Sequence, residues 1–481
     1  MSSKQSVIIK GFILVFCSIL LCCFSGCNES EVIGSLAPVN ALDVQSSNWS
    51  IGAETMDRGY TVYDNWKQYL GPLGFKKARV FSGWAKTEIS PNQYDFTWLD
   101  PIIADMKKQG VTPWITLAYG NPMYTTFVDD LRGDPPRNEK AYQAWEAYVT
   151  AFVQRYKEQV HEYEVWNEPR PGKKISPEEY GTLVIRTAKA VRSVQPDARI
   201  YILALDRDLF DAATGLKEAK PNITDYLRNT LDFLKEHDAL KLIDAVTYHP
   251  YAFNPDESYT GVIRLREIVK SYDTEIDIIQ GENGVPSALN NNRALNNYEW
   301  TETSQAKWAL RRLLGDLCHD IPSSYFSMAD MCYPDEINEK GILKANPDKT
   351  IERPKRAYHA LQNLASVFDD RIKRQSEKAP IVSPEERINT HLFEDEKGCL
   401  LALFWVNDQI PADSTIQVHA DMMISGNFQE PVYVDMLTGE VSTIPKKKII
   451  KNKNTTKFTG VIIPDYPVLI AEKTLLKINT K

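Results

Sequence analysis

His161-Glu162-Tyr163-Glu164-Val165-Trp166-Asn167-Glu168-Pro169 alternates in side-chain direction and then stops at Asn-Glu-Pro, the layout of a strand that delivers an amide and a carboxylate to the rim of a sheet. Pro169 cannot donate to a ladder and biases Glu168 towards an extended conformation, which ends the strand and sets where the carboxylate points. Taken alone, the motif fits an ordinary strand end with two polar residues in solvent equally well. Its neighbours decide.

Working outward, strands and helices alternate on both sides. Upstream, residues 49–53 read as a strand and 63–70 as a helix stopped by Gly71-Pro72; 77–81 is the next strand. Leu99, Ile102, Ile103 and Met106 then repeat at helical spacing until Gly110, 112–118 is a third strand, and Tyr142, Trp145, Val149, Phe152 and Tyr156 line a third helix. The opening stretch is therefore the fourth strand. Downstream, Ser176-Pro177-Glu178-Glu179 opens a helix with an N-cap serine, a proline at the first position and a capping-box glutamate. Strands at 199–204, 243–248, 276–280 and 323–328 follow, with helices near 226–234, 262–269, 306–317 and 354–368. This alternation is that of a (β/α)8 TIM barrel over residues 47–375. An open doubly wound sheet would bring a glycine-rich phosphate loop after an early strand, and the sequence has none. From 376 to 481 the pattern changes to short strand-like runs with turns such as Leu437-Thr438-Gly439-Glu440, a small all-β, sandwich-like domain.

The chain has 481 residues, 43% hydrophobic and 25% charged, as expected of a globular protein of more than one domain. A net charge of -8 leaves no basic footprint for nucleic acid, and the basic run 446–457 lies between two strands as a solvated hairpin tip. Lys4 and Lys10 precede the apolar run 11–24, too short to span a bilayer comfortably and laid out as a secretory signal. Four of the seven cysteines (Cys17, Cys22, Cys23, Cys27) fall in this segment. Cys318, Cys332 and Cys399 are an odd number, so this is no disulfide scaffold; a Cys318–Cys332 bond or two buried thiols both fit. The histidines show no metal-ligand spacing, and neither metal nor cofactor is expected. Residues 27–46 lack periodicity and read as a tether.

Barrels place reactive groups at the C-terminal ends of their strands. Glu168 has that position on strand four, and Asp277-Ile278-Ile279-Gln280-Gly281-Glu282-Asn283-Gly284 puts Glu282 at the same rim on strand seven. Two carboxyls facing across one mouth are what a retaining glycoside hydrolase needs, one as acid and base and the other as nucleophile. Rival rim carboxylates, Asp206 and Asp330, come with no matching motif.

Trp166-Asn167-Glu168-Pro169 together with a glutamate ending strand seven resembles clan A, the 4/7 superfamily of retaining glycosidases on (β/α)8 barrels. Gly74-Phe75-Lys76-Lys77-Ala78-Arg79-Val80, Tyr94-Asp95-Phe96-Thr97-Trp98-Leu99-Asp100 and Pro354-Lys355-Arg356-Ala357-Tyr358 are similar to family 39, typified by β-xylosidases, over most of 49–368. The resemblance implies Glu168 as acid/base and Glu282 as nucleophile, with Arg79 beside Glu282, Asn167 on the sugar 2-hydroxyl, and His249-Pro250-Tyr251 matching a His-x-Tyr pattern whose tyrosine orients the nucleophile. Phe24-Ser25-Gly26-Cys27 resembles a bacterial lipobox, which implies a signal peptide at 1–26, lipidation at Cys27, and export to the outer membrane or cell surface of a Gram-negative bacterium. Other rim groups depart from the pattern. Tyr119 and Asn121 follow strand three, where several relatives carry a histidine, with Asn121 the candidate for substrate binding there; Trp84 is a candidate for stacking on a sugar, and strand eight offers Phe326 in place of a tryptophan. The expectation is an exported glycosidase (EC 3.2.1.-) acting on extracellular oligo- or polysaccharide; a glycan-binding lipoprotein that has lost turnover is the alternative.

Overall fold

The computed structural model describes residues 30–129, 132–169, 175–217, 225–290, 293–378, 380–383, 387–407 and 409–480. The expected signal segment and Cys27 lie outside these. Among the described residues no helix is long and apolar enough to cross a membrane.

Eight parallel strands close into a barrel: β1 (Trp49–Gly52), β2 (Lys77–Phe81), β3 (Thr112–Leu117), β4 (Glu162–Val165), β5 (Arg199–Leu205), β6 (Ala245–Tyr248), β7 (Asp277–Asn283) and β8 (Ser323–Tyr325). They pair in sequence order, and β8 returns to β1 through Ser323↔Trp49, Ser324↔Ser50 and Tyr325↔Ile51. Helices follow the strands: α1 (Tyr63–Trp66), α2 (Asp100–Lys108), α3 (Glu139–Tyr156), α4 (Pro177–Val194), α5 (Tyr226–Glu236), α6 (Tyr259–Tyr272), α7 (Glu302–Cys318) and α8 (Arg356–Val367). The TIM-barrel expectation holds, with local departures. The first helix is one α turn followed by two 3-10 turns, because Gly71-Pro72 interrupts it within two turns. An extra helix, Arg207–Thr214, follows β5, capped by the Asp206 side chain on the Leu209 amide. The capping box of α4 forms as read: Ser176 Oγ accepts from the Glu179 amide, and Glu179 accepts from the Ser176 amide.

Beyond the barrel stand two antiparallel sheets, one of eight strands and one of four. Strand Leu400–Val406 shows how they are used. Its even residues Leu400, Ala402, Phe404 and Val406 enter the core between the two sheets, and its odd residues Leu401, Leu403 and Trp405 join the barrel's own core. A strand buried on both faces reads as an unbroken apolar run, as this one does. The all-β expectation is met, but the tether is not. Val32–Leu36 is a strand of the larger sheet, seated between Glu440–Thr443 and Ile478–Thr480. Its pairing partners lie more than 400 residues away, beyond the reach of local pattern. Cys318 and Cys332 are buried free thiols, with no bond between them.

The barrel docks on the sheets through α7, whose polar face is as buried as its apolar one. Lys307 Nζ donates to Asp465 Oδ1 at 3.0 Å and Oδ2 at 3.1 Å, and to the Ser414 carbonyl at 2.9 Å. Arg311 pairs with Asp256, which also accepts from Trp405 Nε1 at 3.2 Å. Removing one partner of a buried pair leaves an uncompensated charge, at about 3–5 kcal/mol. Lys307→Met is therefore expected to lose about that much stability in denaturant unfolding, and a loss under about 1 kcal/mol would show that Asp465 finds another partner.

Candidate active site

The barrel's C-terminal mouth is organised around Arg79, fully buried on β2. All five of its N–H groups are used. Nε and Nη2 donate to Glu164 Oε2 at 3.0 and 2.6 Å, Nη2 also to Asn167 Oδ1 at 2.8 Å, and Nη1 to Glu54 Oε1 at 3.0 Å and Glu282 Oε2 at 2.9 Å. Burial works against the guanidinium charge, but Glu164, Glu54 and Glu282 outweigh it and hold Arg79 ionised.

Glu164 lies at an inward position of β4. It accepts from Thr116 Oγ1 at 2.7 Å and Thr247 Oγ1 at 2.6 Å as well as from Arg79, so β2, β3, β4 and β6 meet on one carboxylate. Two residues further on, the chain leaves the strand. Trp166 (φ 67°) and Glu168 (φ 48°) are both left-handed, which corrects the expectation that Pro169 holds Glu168 extended. Each such residue costs on the order of 1 kcal/mol and persists where its surroundings over-determine it. Here the Trp166 amide donates to the Leu117 carbonyl, and the Tyr180 hydroxyl of α4 donates to the Val165 carbonyl at 2.7 Å. The double turn brings Glu168 Oε1 to 3.2 Å from His249 Nδ1.

Glu282, on β7, accepts from the Tyr251 hydroxyl at 2.7 Å on Oε1 and from Arg79 on Oε2. Burial first, then the Glu282 charge, drives the Tyr251 pKa well up, so the phenol remains a donor. Burial pulls the His249 imidazole down, yet Glu282 and the hydrogen bond to Glu168 more than offset this and leave it above its ordinary value. Gly281 makes the room: a Cβ there would stand 3.2 Å from His249 Nε2. One atom each of Glu168, His249 and Glu282 lies within 4.8 Å of the others, so among the described residues this set has the spacing to hold a cation. Arg79, 2.9 Å from Glu282, already supplies the positive charge there and repels a second one.

The mouth opens as a cavity of about 490 Å³ lined by both glutamates, Tyr251, Phe326, Tyr333 and Lys340, among others. Burial lowers the Lys340 amine to about 7, with Glu282 opposing.

The structure thus brings together Glu168, Glu282, Arg79, Asn167, His249 and Tyr251. It does not bring Trp84 or Asn121 to them. Trp84 is fully buried, its Nε1 donating to Glu88 Oε2 at 2.6 Å and its ring stacked on Tyr124 and Tyr148. Asn121 donates to the Glu88 carbonyl at 2.8 Å and accepts from the Met123 amide, which makes it a loop brace. Tyr119 instead meets the site, accepting from Asn167 Nδ2 at 3.0 Å. Of the rival carboxylates, Asp330 is buried against Lys355 Nζ at 2.6 Å, and Asp206 caps a helix at the cavity edge. Sequence reasoning passed over Glu54 and Glu164. The available signal for Glu164 was a charge at an inward strand position; for Glu54 there was none.

No family model matches the chain, and no curated protein does. Solved structures do. A family 39 glycoside hydrolase from the gut symbiont Bacteroides cellulosilyticus WH2 superposes with a TM-score of 0.66 at 16% identity, covering 91% of this chain and 83% of that one. A monomeric β-xylosidase from Caulobacter crescentus CB15 gives 0.56 at 15%, covering 91% and 97%. A family 30 subfamily 8 xylanase from Clostridium acetobutylicum gives 0.53 at 9%, covering 92% and 100%. At such identities the likeness is one of fold: a closed barrel followed by antiparallel sheets, shared across nearly the whole chain.

Glu54 generates a pH prediction. Burial, reinforced by Glu282 and opposed by Arg79, lifts it from 4.5 to about 7. A carboxyl raised on folding contributes stability that is fully present below its unfolded pKa and is lost as pH rises through the folded one. Glu54→Gln removes this dependence. Its melting temperature relative to the wild type is expected to climb between pH 4.5 and 7, by the equivalent of roughly 2 kcal/mol. A flat difference across that window would contradict the assignment.

Proposed function

We propose that the protein is a retaining glycoside hydrolase that cleaves an equatorial β-glycosidic bond, or a stereochemical equivalent, by double displacement. The observation that carries this reading is the separation of Glu168 and Glu282, with an oxygen of each within 4.8 Å across the barrel mouth. Retaining enzymes hold their carboxyls about 5–5.5 Å apart and inverting ones about 6.5–9.5 Å, the wider gap admitting a water.

The surroundings support distinct roles for the pair. Glu282 has Arg79 and Tyr251 donating to its two oxygens, which favours the carboxylate a nucleophile must be. Glu168 hydrogen-bonds His249, a neighbour with which it can exchange a proton. In the first step Glu282 attacks the anomeric carbon as Glu168 gives its proton to the leaving oxygen, so the glycosidic bond breaks and an ester forms. In the second, Glu168 takes a proton from water, whose oxygen displaces Glu282. Asn167 accepts from Arg79 and gives one amide N–H to Tyr119. Among the described residues its second N–H has no acceptor, and it is available for the sugar 2-hydroxyl, a contact that strengthens in the transition state. Phe326, lining the cavity at the end of β8, supplies an apolar wall.

The substrate in this reading is an extracellular oligo- or polysaccharide. The names of the structural neighbours, a β-xylosidase and a xylanase among them, are consistent with it. The sequence at Cys27 supports export as a lipoprotein to the cell surface, and Cys27→Ala is expected to abolish metabolic labelling of the protein by palmitate.

Hydrolysis of a panel of aryl glycosides tests the chemistry. Glu282→Ala is expected to abolish turnover. Glu168→Ala is expected to lose about 10²–10⁴-fold on poor leaving groups, less on good ones, and to be rescued by azide. Absence of hydrolysis by the wild type on every sugar, with glycan binding intact in both variants, would point to a binding protein instead.

A further inference from the structure

Three carboxyl groups, Glu54, Glu164 and Glu282, share the single positive charge of Arg79. Two uncompensated charges in a buried cluster are costly, so the carboxyl least supported by donors is the one to hold a proton. Glu164 receives Arg79 Nε and Nη2, Thr116 and Thr247. Glu282 receives Arg79 Nη1 and Tyr251, and its side chain is 12% exposed to the cavity. Glu54 is buried like Glu164, but its set of donors differs from both. Its Oε1 accepts from Arg79 Nη1, its own backbone amide adds support, and Oε2 is buried with no hydrogen-bond partner among the described residues. A Cβ on residue 52 would stand 2.3 Å from Oε2, so Gly52 leaves the space this carboxyl occupies. The charged or titratable groups that act on Glu54 are Arg79 and Glu282 directly, Glu164 through Arg79, and Tyr251, which senses its charge.

We propose that Glu54 is a positioning residue that keeps a proton on Oε2 in the free protein and, as a neutral acid, holds Arg79 Nη1 against Glu282 without competing for the guanidinium charge. This rests on the assignment of Glu282 as nucleophile. A neutral carbonyl oxygen is a sufficient acceptor for one N–H of Nη1, and it leaves the charge of Arg79 to Glu164 and Glu282. The lift of Glu54 to about 7 by burial accords with this.

Glutamine reproduces a neutral acceptor and alanine does not. Purified Glu54→Gln is expected to keep kcat within about threefold of the wild type at pH 6, while Glu54→Ala falls by about 10–100-fold at little change in KM. The infrared difference spectrum of wild type minus Glu54→Gln at pH 6 is expected to show the C=O stretch of a protonated carboxylic acid, converting to a carboxylate band at pH 9. A carboxylate band already present at pH 6, or a Glu54→Gln loss as large as that of Glu54→Ala, would overturn the proposal. The infrared reading needs neither turnover nor a stable alanine variant. Covalent labelling of Glu282 by an activated 2-fluoro glycoside tests the underlying enzyme reading separately.

Discussion

One guanidinium holds the mouth of this barrel together. Arg79 uses every N–H it has, on acidic and amide oxygens delivered by separate parts of the chain: Glu54 after β1, Glu164 of β4, Asn167 just beyond it, and Glu282 of β7. The planar fork of arginine can meet such an array, and a lysine's point charge cannot. Burying that charge is costly unless it is paired and hydrogen-bonded, so the carboxylates and the arginine depend on one another. The positions of Glu282 and Asn167 follow from this, since both are tied to the same group.

The second constraint acts on the backbone. Glu168 faces Glu282 because Trp166 and Glu168 leave the strand through left-handed conformations, and those are held from outside by a tyrosine of α4 and a carbonyl of β3. Strained residues at a strand end rest on a rigid scaffold. The scaffold here extends past the barrel. Leu401, Leu403 and Trp405 of the large sheet enter the barrel's core, and α7 is clamped through Lys307 and Arg311. The two halves of the chain are therefore packed as one body around α7, and the strand Val32–Leu36 joins that same large sheet.

Much of this was legible in the residues. Period-2 and period-3.6 runs gave the eight strands and their helices, since each element buries one face against its neighbours and the pattern records which face. Glu168 and Glu282 were found because both stand where a strand gives way to Pro or Gly. Trp84 and Asn121 were misplaced for the converse reason: proximity to a strand end in sequence does not say whether a side chain turns into the mouth or back into the core. Trp84 turns inward, where Tyr124, Trp145 and Tyr148 offer an aromatic nest.

The sequence by itself determined the order of the elements, the barrel, the all-β C-terminal part and the two rim glutamates, because these depend on local periodicity and punctuation. Only the tertiary structure decided the rest: that Glu54 and Glu164 share Arg79, that Glu168 turns back to His249, and that Val32–Leu36 is a strand and not a tether. Each is a contact between residues far apart in the chain, fixed by where buried charge and unpaired backbone find partners in space, and no local pattern encodes that.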